Sequence, residues 1–281
     1  MTGEPRPRRP NVAISALRVF DLSLAQMLWS RRSIFFGLAV GGPVVLAFAI
    51  RAIVLWTPAG MPRVNGVRMG GPALFGMMIW LLYIRFIVPV LGIFYGTALI
   101  ADEIDDRTIT YLFTRPIPRS AVLFGKYLAF LVCTILLVLP SVVIVYFAIV
   151  PLGGGRIGRE FVSLLTDLGM LAVGLAAYGS VFALVGARLK HPLIAGLVFA
   201  FGWEPGVLLF PGYLKYLTVG YYLQALVPHA MPEDSAAGVI MQLFSQTRSV
   251  PVSLVSLACI VALGLWWAGR TVERREYVLE Q

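Results

Sequence analysis

The chain has 281 residues, of which 59% are hydrophobic and 13% charged, with a mean hydropathy of +0.84. Soluble domains carry about 25% charged residues, so this composition excludes a cytosolic enzyme, a disordered chain and a secreted disulfide scaffold. Its two cysteines lie in apolar runs and give no redox signal. The net charge of +9 suits the basic cytoplasmic loops of a polytopic membrane protein, with no nucleic-acid partner implied.

In chain order, residues 1–10 form a Pro/Arg tail expected to be disordered, and residues 11–281 read as one transmembrane domain. The first apolar run is too long for a signal-peptide core, so no cleaved leader is expected. Before it, Ile14, Leu17, Leu24 and Leu28 recur at helical spacing, with Arg18 and Asp21 on another face. That pattern predicts an amphipathic helix lying in the membrane interface.

A bilayer core about 30 Å thick needs about 20 apolar residues of helix. Six runs meet or approach that length: 33–56, 78–100, 121–150, 168–187, 193–210 and 251–269. The fold class is therefore all-α, with six transmembrane helices. The third run contains Pro140, where a bend is expected. The fifth is short and holds Glu204-Pro205. Residues 211–250, rich in tyrosine, are too long a stretch to lack structure, and short helices dipping into the outer leaflet are expected.

Orientation follows from lysine and arginine. They cluster in the N-terminal segment (Arg6, Arg8, Arg9, Arg18, Arg31, Arg32) and after span two (Arg107, Arg115, Arg119, Lys126). They recur after span four (Arg188, Lys190) and at the C-terminus (Arg270, Arg274, Arg275). The opposite loops are sparser, with Arg63, Arg68, Arg156, Arg159, Lys215 and Arg248. The positive-inside rule places both termini in the cytoplasm.

The most informative segment is TALIADEIDDRTITYLFTRPIPRSAVLFGKY, residues 97–127. Asp102, Glu103, Asp105 and Asp106 suit the start of a helix, where carboxylates oppose the positive end of the dipole. Ile104, Thr108, Tyr111 and Leu112 share a helical face, Arg107 and Arg115 lie nearer the other side, and Pro116 and Pro118 stop the helix. The result is a short, stiff, cytoplasmic helix between spans two and three. A bundle of inert spans does not need one, whereas a transporter driven by a soluble motor does.

This pattern resembles the permease subunits of type-2 ABC (ATP-binding cassette) exporters. There, an acidic pair after span two is followed by a Thr, a Leu, an Arg-Pro pair and a Gly-Lys opening span three. Here these are Asp102-Glu103, Thr108, Leu112, Arg115-Pro116 and Gly125-Lys126, with Arg119 between. Arg107 stands where that family usually has Gly. The resemblance implies a multi-pass protein of the bacterial inner membrane that pairs with a second copy or a sister permease. Its coupling helix would dock into an ABC ATPase through the Ile104–Leu112 face, with Asp102, Glu103, Arg107 and Arg115 fixing the angle. The chain has no G-x-x-x-x-G-K-[ST] loop to cradle phosphates, so ATP and Mg²⁺ are expected on a separate ATPase subunit and no cofactor in this chain.

Two charged residues inside spans are candidates for the translocation path. Arg85 lies about 10 Å deep in span two, where a cation costs at least ~2.5 kcal/mol and needs a cavity, a partner or a snorkelling route. Glu204, beside a helix-breaking Pro205, either pairs with Arg85 or marks the point where span five reaches water. The Gly37/Gly41 and Gly92/Gly96 pairs have the spacing that lets helices approach closely. Asp167 reads as a solvated residue at the outer edge of span four, and Cys133 and Cys259 as small core residues. No catalytic residue and no metal site is expected. Two other functions share much of the pattern: an intramembrane enzyme acting on lipid-linked substrates through Asp102–Asp106, and a non-transporting membrane anchor for an ATPase.

Overall fold

The computed structural model describes residues 12–28, 31–56, 63–64, 67–99, 119–208, 213–227 and 249–274. The basic tail of residues 1–10 and the acidic segment of residues 102–115 lie outside the described residues.

The chain opens with α1 (Val12–Leu28) and α2 (Arg31–Trp56), followed by a two-residue antiparallel pairing of β1 (Arg63–Val64) with β2 (Val67–Arg68). Next come α3 (Gly71–Leu99), α4 (Arg119–Ile149) and α5 (Ile157–Arg188). The apolar α6 (Pro192–Val207) is shorter. A 3₁₀ turn at Tyr213–Leu217 then leads into α7 (Val219–Gln224), and α8 (Val250–Arg274) completes the described chain. Five of these helices are long and apolar enough to cross a bilayer. The expected fifth span coincides with the shorter α6. The protein is an all-α multi-pass membrane protein.

Local sequence explains several boundaries. Proline near the first helical position opens α3 and α6, where its missing N–H costs no intrahelical bond. The α-helix α4 runs unbroken through Pro140. Span four begins earlier than hydropathy suggested, at Ile157. The extra turns carry Asp167 inward, on a buried stripe with Leu164, Met170, Leu171 and Gly174. The expectation of a solvated Asp167 is thus corrected, because helical phase places it on the packed face of α5.

The core sits where α3, α4 and α5 meet. Glycines set the distance between α3 and α5: a methyl group at Gly96 would come within 2.9 Å of the Phe182 side chain and 3.3 Å of the Gly179 carbonyl. At Gly92 it would come within 3.0 Å of Tyr178 and Phe182. The Gly37/Gly41 pair behaves differently, with nothing among the described residues within 4 Å of a methyl group at either position. Polar contacts lock the same bundle. The Tyr83 and Ser141 hydroxyls are 2.6 Å apart, and Ser141 also donates to the Val40 carbonyl at 2.9 Å, so one serine ties α2, α3 and α4. Tyr127 of α4 donates to the Ala176 carbonyl of α5 at 2.8 Å. Arg51 donates to the Ala148 carbonyl at 2.9 Å and the Phe147 carbonyl at 3.3 Å, placing its charge at the negative end of α4.

The helix α1 packs against α4. Ser23 is buried, and Val19, Phe20, Leu24 and Met27 are partly so. Leu17, on the apolar stripe expected to meet the membrane interface, is 59% exposed. In an apolar medium the hydrophobic stripe need not be the one that meets protein, since lipid accepts the same side chains. Cys133 is buried as expected, whereas Cys259 is exposed on α8 and is not a core residue.

Candidate functional site

Four elements converge on Glu204. The α6 backbone passes through a π-helical stretch, Val198–Trp203, and returns to α-helix at Glu204. Pro205 lies in that α-helical turn, so the helix does not end there. The wider π turn shifts the residues after it around the axis, and such stretches recur at functional positions. Glu204 is only 4% exposed, which removes the reading in which it marks the arrival of span five in water.

Its carboxylate is well partnered. The Tyr178 hydroxyl, from α5, donates to Oε2. The backbone N–H groups of Val219 and Gly220 donate to Oε1 at 3.1 and 3.4 Å. Those are the first residues of α7, so Glu204 serves a foreign helix as a capping residue would, satisfying donors left without intrahelical partners and opposing the positive dipole end. Glycine at position 220 leaves room for this, since a Cβ there would lie 3.2 Å from Oε2. Tyr178 is itself held by stacking on Phe182, with ring centroids 6.0 Å apart and planes at 14°.

The fourth element is α3. Arg85 lies in its π-helical stretch Ile79–Ile87, half-buried, with its guanidinium 5.3 Å from the Trp80 ring centroid. Its charge acts on both Glu204 and Tyr178. The two intramembrane charges picked out by sequence therefore belong to one electrostatic cluster. Sequence reasoning missed Tyr178, because one tyrosine in an apolar span carries no motif, and missed the Val219 and Gly220 donors, because backbone groups leave no signature. The ATPase-coupling residues Asp102, Glu103, Ile104, Arg107, Thr108, Tyr111, Leu112 and Arg115 all lie outside the described residues. Among the described residues no three His, Cys, Asp or Glu side chains gather where a metal ion could be held.

A model of ABC-2 family transporter proteins matches residues 27–202, well over half of the chain. The chain belongs to the ABC-2 transporter family. None of the curated proteins matches it. In this ABC-2 protein the matched segment takes in α2 through α5, most of α6 and the acidic stretch after span two, and it stops just short of Glu204. It also contains Arg85 and Tyr178. As an ABC-2 family protein, the chain is a transport membrane subunit.

Proposed function

We propose that this chain is the membrane-spanning subunit of an ABC exporter of the bacterial inner membrane. It is driven by a separate ATPase and paired with a second copy or a sister permease, with both termini in the cytoplasm. The observation that carries the reading is the family match over residues 27–202, which encloses the acidic, Thr, Leu and Arg-Pro pattern at residues 102–116. In this mechanism the helix bearing Ile104, Thr108, Tyr111 and Leu112 enters a cleft of the ATPase, and closure of two ATPases on ATP rocks the bundles. Arg85 and Glu204 lie along the substrate path, Glu204 fixing α5, α6 and α7 while Arg85 offers the path a cation. The support for that role is the cost of holding charge inside a membrane, which is met by function or by pairing.

The test is recovery of the tagged chain from native membranes in mild detergent, with mass spectrometry and an ATPase assay. A near-stoichiometric soluble ATPase is expected, lost in Leu112→Asp because the aspartate would bury an unpaired charge in the contact. Recovery of the chain alone, with no nucleotide hydrolysis in several detergents, would overturn the permease reading. Full ATPase association and full transport by Leu112→Asp would overturn only the docking face. Arg85→Ala should lower substrate flux with ATPase association intact, and unchanged flux would remove Arg85 from the path.

A further inference from the structure

The C-terminal ends of α5 and α8 border an open cavity of about 360 Å³ lined by Arg188, Trp267, Arg270, Thr271 and Arg274. The four α8 residues fall at i, i+3, i+4 and i+7, one face of the helix. Arg188, the last residue of α5, closes the opposite wall, its guanidinium 4.9 Å from the Trp267 ring centroid. Arg270 lies 5.6 Å from the ring of the neighbouring Trp266. The Thr271 hydroxyl already donates to the Trp267 carbonyl at 2.8 Å, so among the described residues the arginines are the donors that face the cavity. Among the described residues no carboxylate lines the cavity, and Glu273, the acid nearest in sequence, is exposed on another face of α8.

The geometry points to a binding site for the phosphate of an anionic membrane lipid. Three guanidinium groups present planar forks of N–H donors suited to bidentate capture of phosphate oxygens. Neither stacking on tryptophan consumes those donors. The tryptophans specify a lipid over a soluble anion. Trp266 and Trp267 are 59% and 48% exposed at the end of a membrane-spanning helix, the level at which indole rings meet glycerol and headgroups. A basic pocket between helix ends at the bilayer boundary is suited to such a headgroup. Bound there, the lipid bridges α5 and α8 from outside the bundle. The site lies at the C-terminal end of α5, beyond Tyr178 of the Glu204 cluster, and does not depend on the permease reading.

The test uses the full-length chain in phosphatidylcholine nanodiscs, with tryptophan quenching by brominated phosphatidylglycerol against brominated phosphatidylcholine at equal bromine content. Quenching by phosphatidylglycerol should be stronger, and its preference should fall about fivefold for each arginine changed to glutamine among Arg188, Arg270 and Arg274. Arg156→Gln, at the opposite end of α5, controls for general charge and should keep the preference. Millimolar inorganic phosphate should not abolish it. Equal quenching by both lipids in the native chain would overturn the proposal, as would a preference unchanged in Arg188→Gln and Arg270→Gln or equally reduced by Arg156→Gln. Loss of the preference in inorganic phosphate would show that the pocket takes the free anion, and would overturn the lipid assignment. Should Arg188→Gln or Arg270→Gln fail to assemble, Arg274→Gln, on the exposed last turn of α8, carries the same fivefold expectation.

Discussion

The helices α3 and α5 are no more apolar than α2 and α8, yet they occupy opposite positions in the molecule. Mean hydropathy is 2.1 and 2.0 for α3 and α5, and 2.2 and 2.1 for α2 and α8, while the buried share is 61% and 56% against 17% and 17%. Hydrophobicity therefore does not choose which spans form the core. Inside a bilayer the surroundings are as apolar as the side chains, and association rests on close packing of small residues and on polar contacts between helices. Small residues bring α3 and α5 together, where Gly92 and Gly96 meet Tyr178, Gly179 and Phe182, and polar contacts tie both to their neighbours, Tyr83 of α3 to Ser141 of α4 and Tyr178 of α5 to Glu204 of α6. On α2 the glycines at 37, 41 and 42 have nothing among the described residues within 4 Å.

Substitutions at matched positions can break or sharpen that contrast. Gly96→Leu has the largest expected effect, a loss of about 3 kcal/mol or failure to assemble, because Phe182 and the Gly179 carbonyl leave no room. Unfolding by denaturing detergent after reconstitution reads it, and a near-neutral result would mean that α3 and α5 are not held in this contact. Glu204→Ala comes next at about 2 kcal/mol, since it strands the Tyr178 hydroxyl and the Val219 and Gly220 N–H groups. Faster hydrogen exchange at the start of α7 should accompany it, and unaltered exchange there would separate Glu204 from the capping of that helix. Ser141→Ala should cost about 1 kcal/mol by removing the tie among α2, α3 and α4. Gly37→Leu should stay within about 0.5 kcal/mol in the monomer. Were Gly37→Leu as damaging as Gly96→Leu, the distinction between inner and outer spans would collapse.

The two glycine pairs show how far sequence could reach. They share the same four-residue spacing and are indistinguishable on paper, but among the described residues only Gly92 and Gly96 of the four meet another helix. Arg85 and Glu204 were visible because charge inside an apolar span stands out against a costly background. Their common cluster was not visible, since it is completed by Tyr178 and by two backbone donors. Asp167 was misplaced for a related reason. Hydropathy marks where apolar residues dominate, whereas α5 continues for three turns beyond that stretch and turns Asp167 toward the core. The cavity between α5 and α8 could not be foreseen, because Arg188 and Arg270 come from separate basic clusters that share only a side of the membrane.

Sequence alone determined the membrane class, the approximate spans and the family, because a bilayer imposes a length and an apolarity that can be read residue by residue, and the family pattern is local. Tertiary structure alone decided which spans lie inside, which charges share a cluster and where arginines from distant spans meet. Those outcomes depend on helical phase and on backbone approach across tens of residues, and no local pattern encodes either.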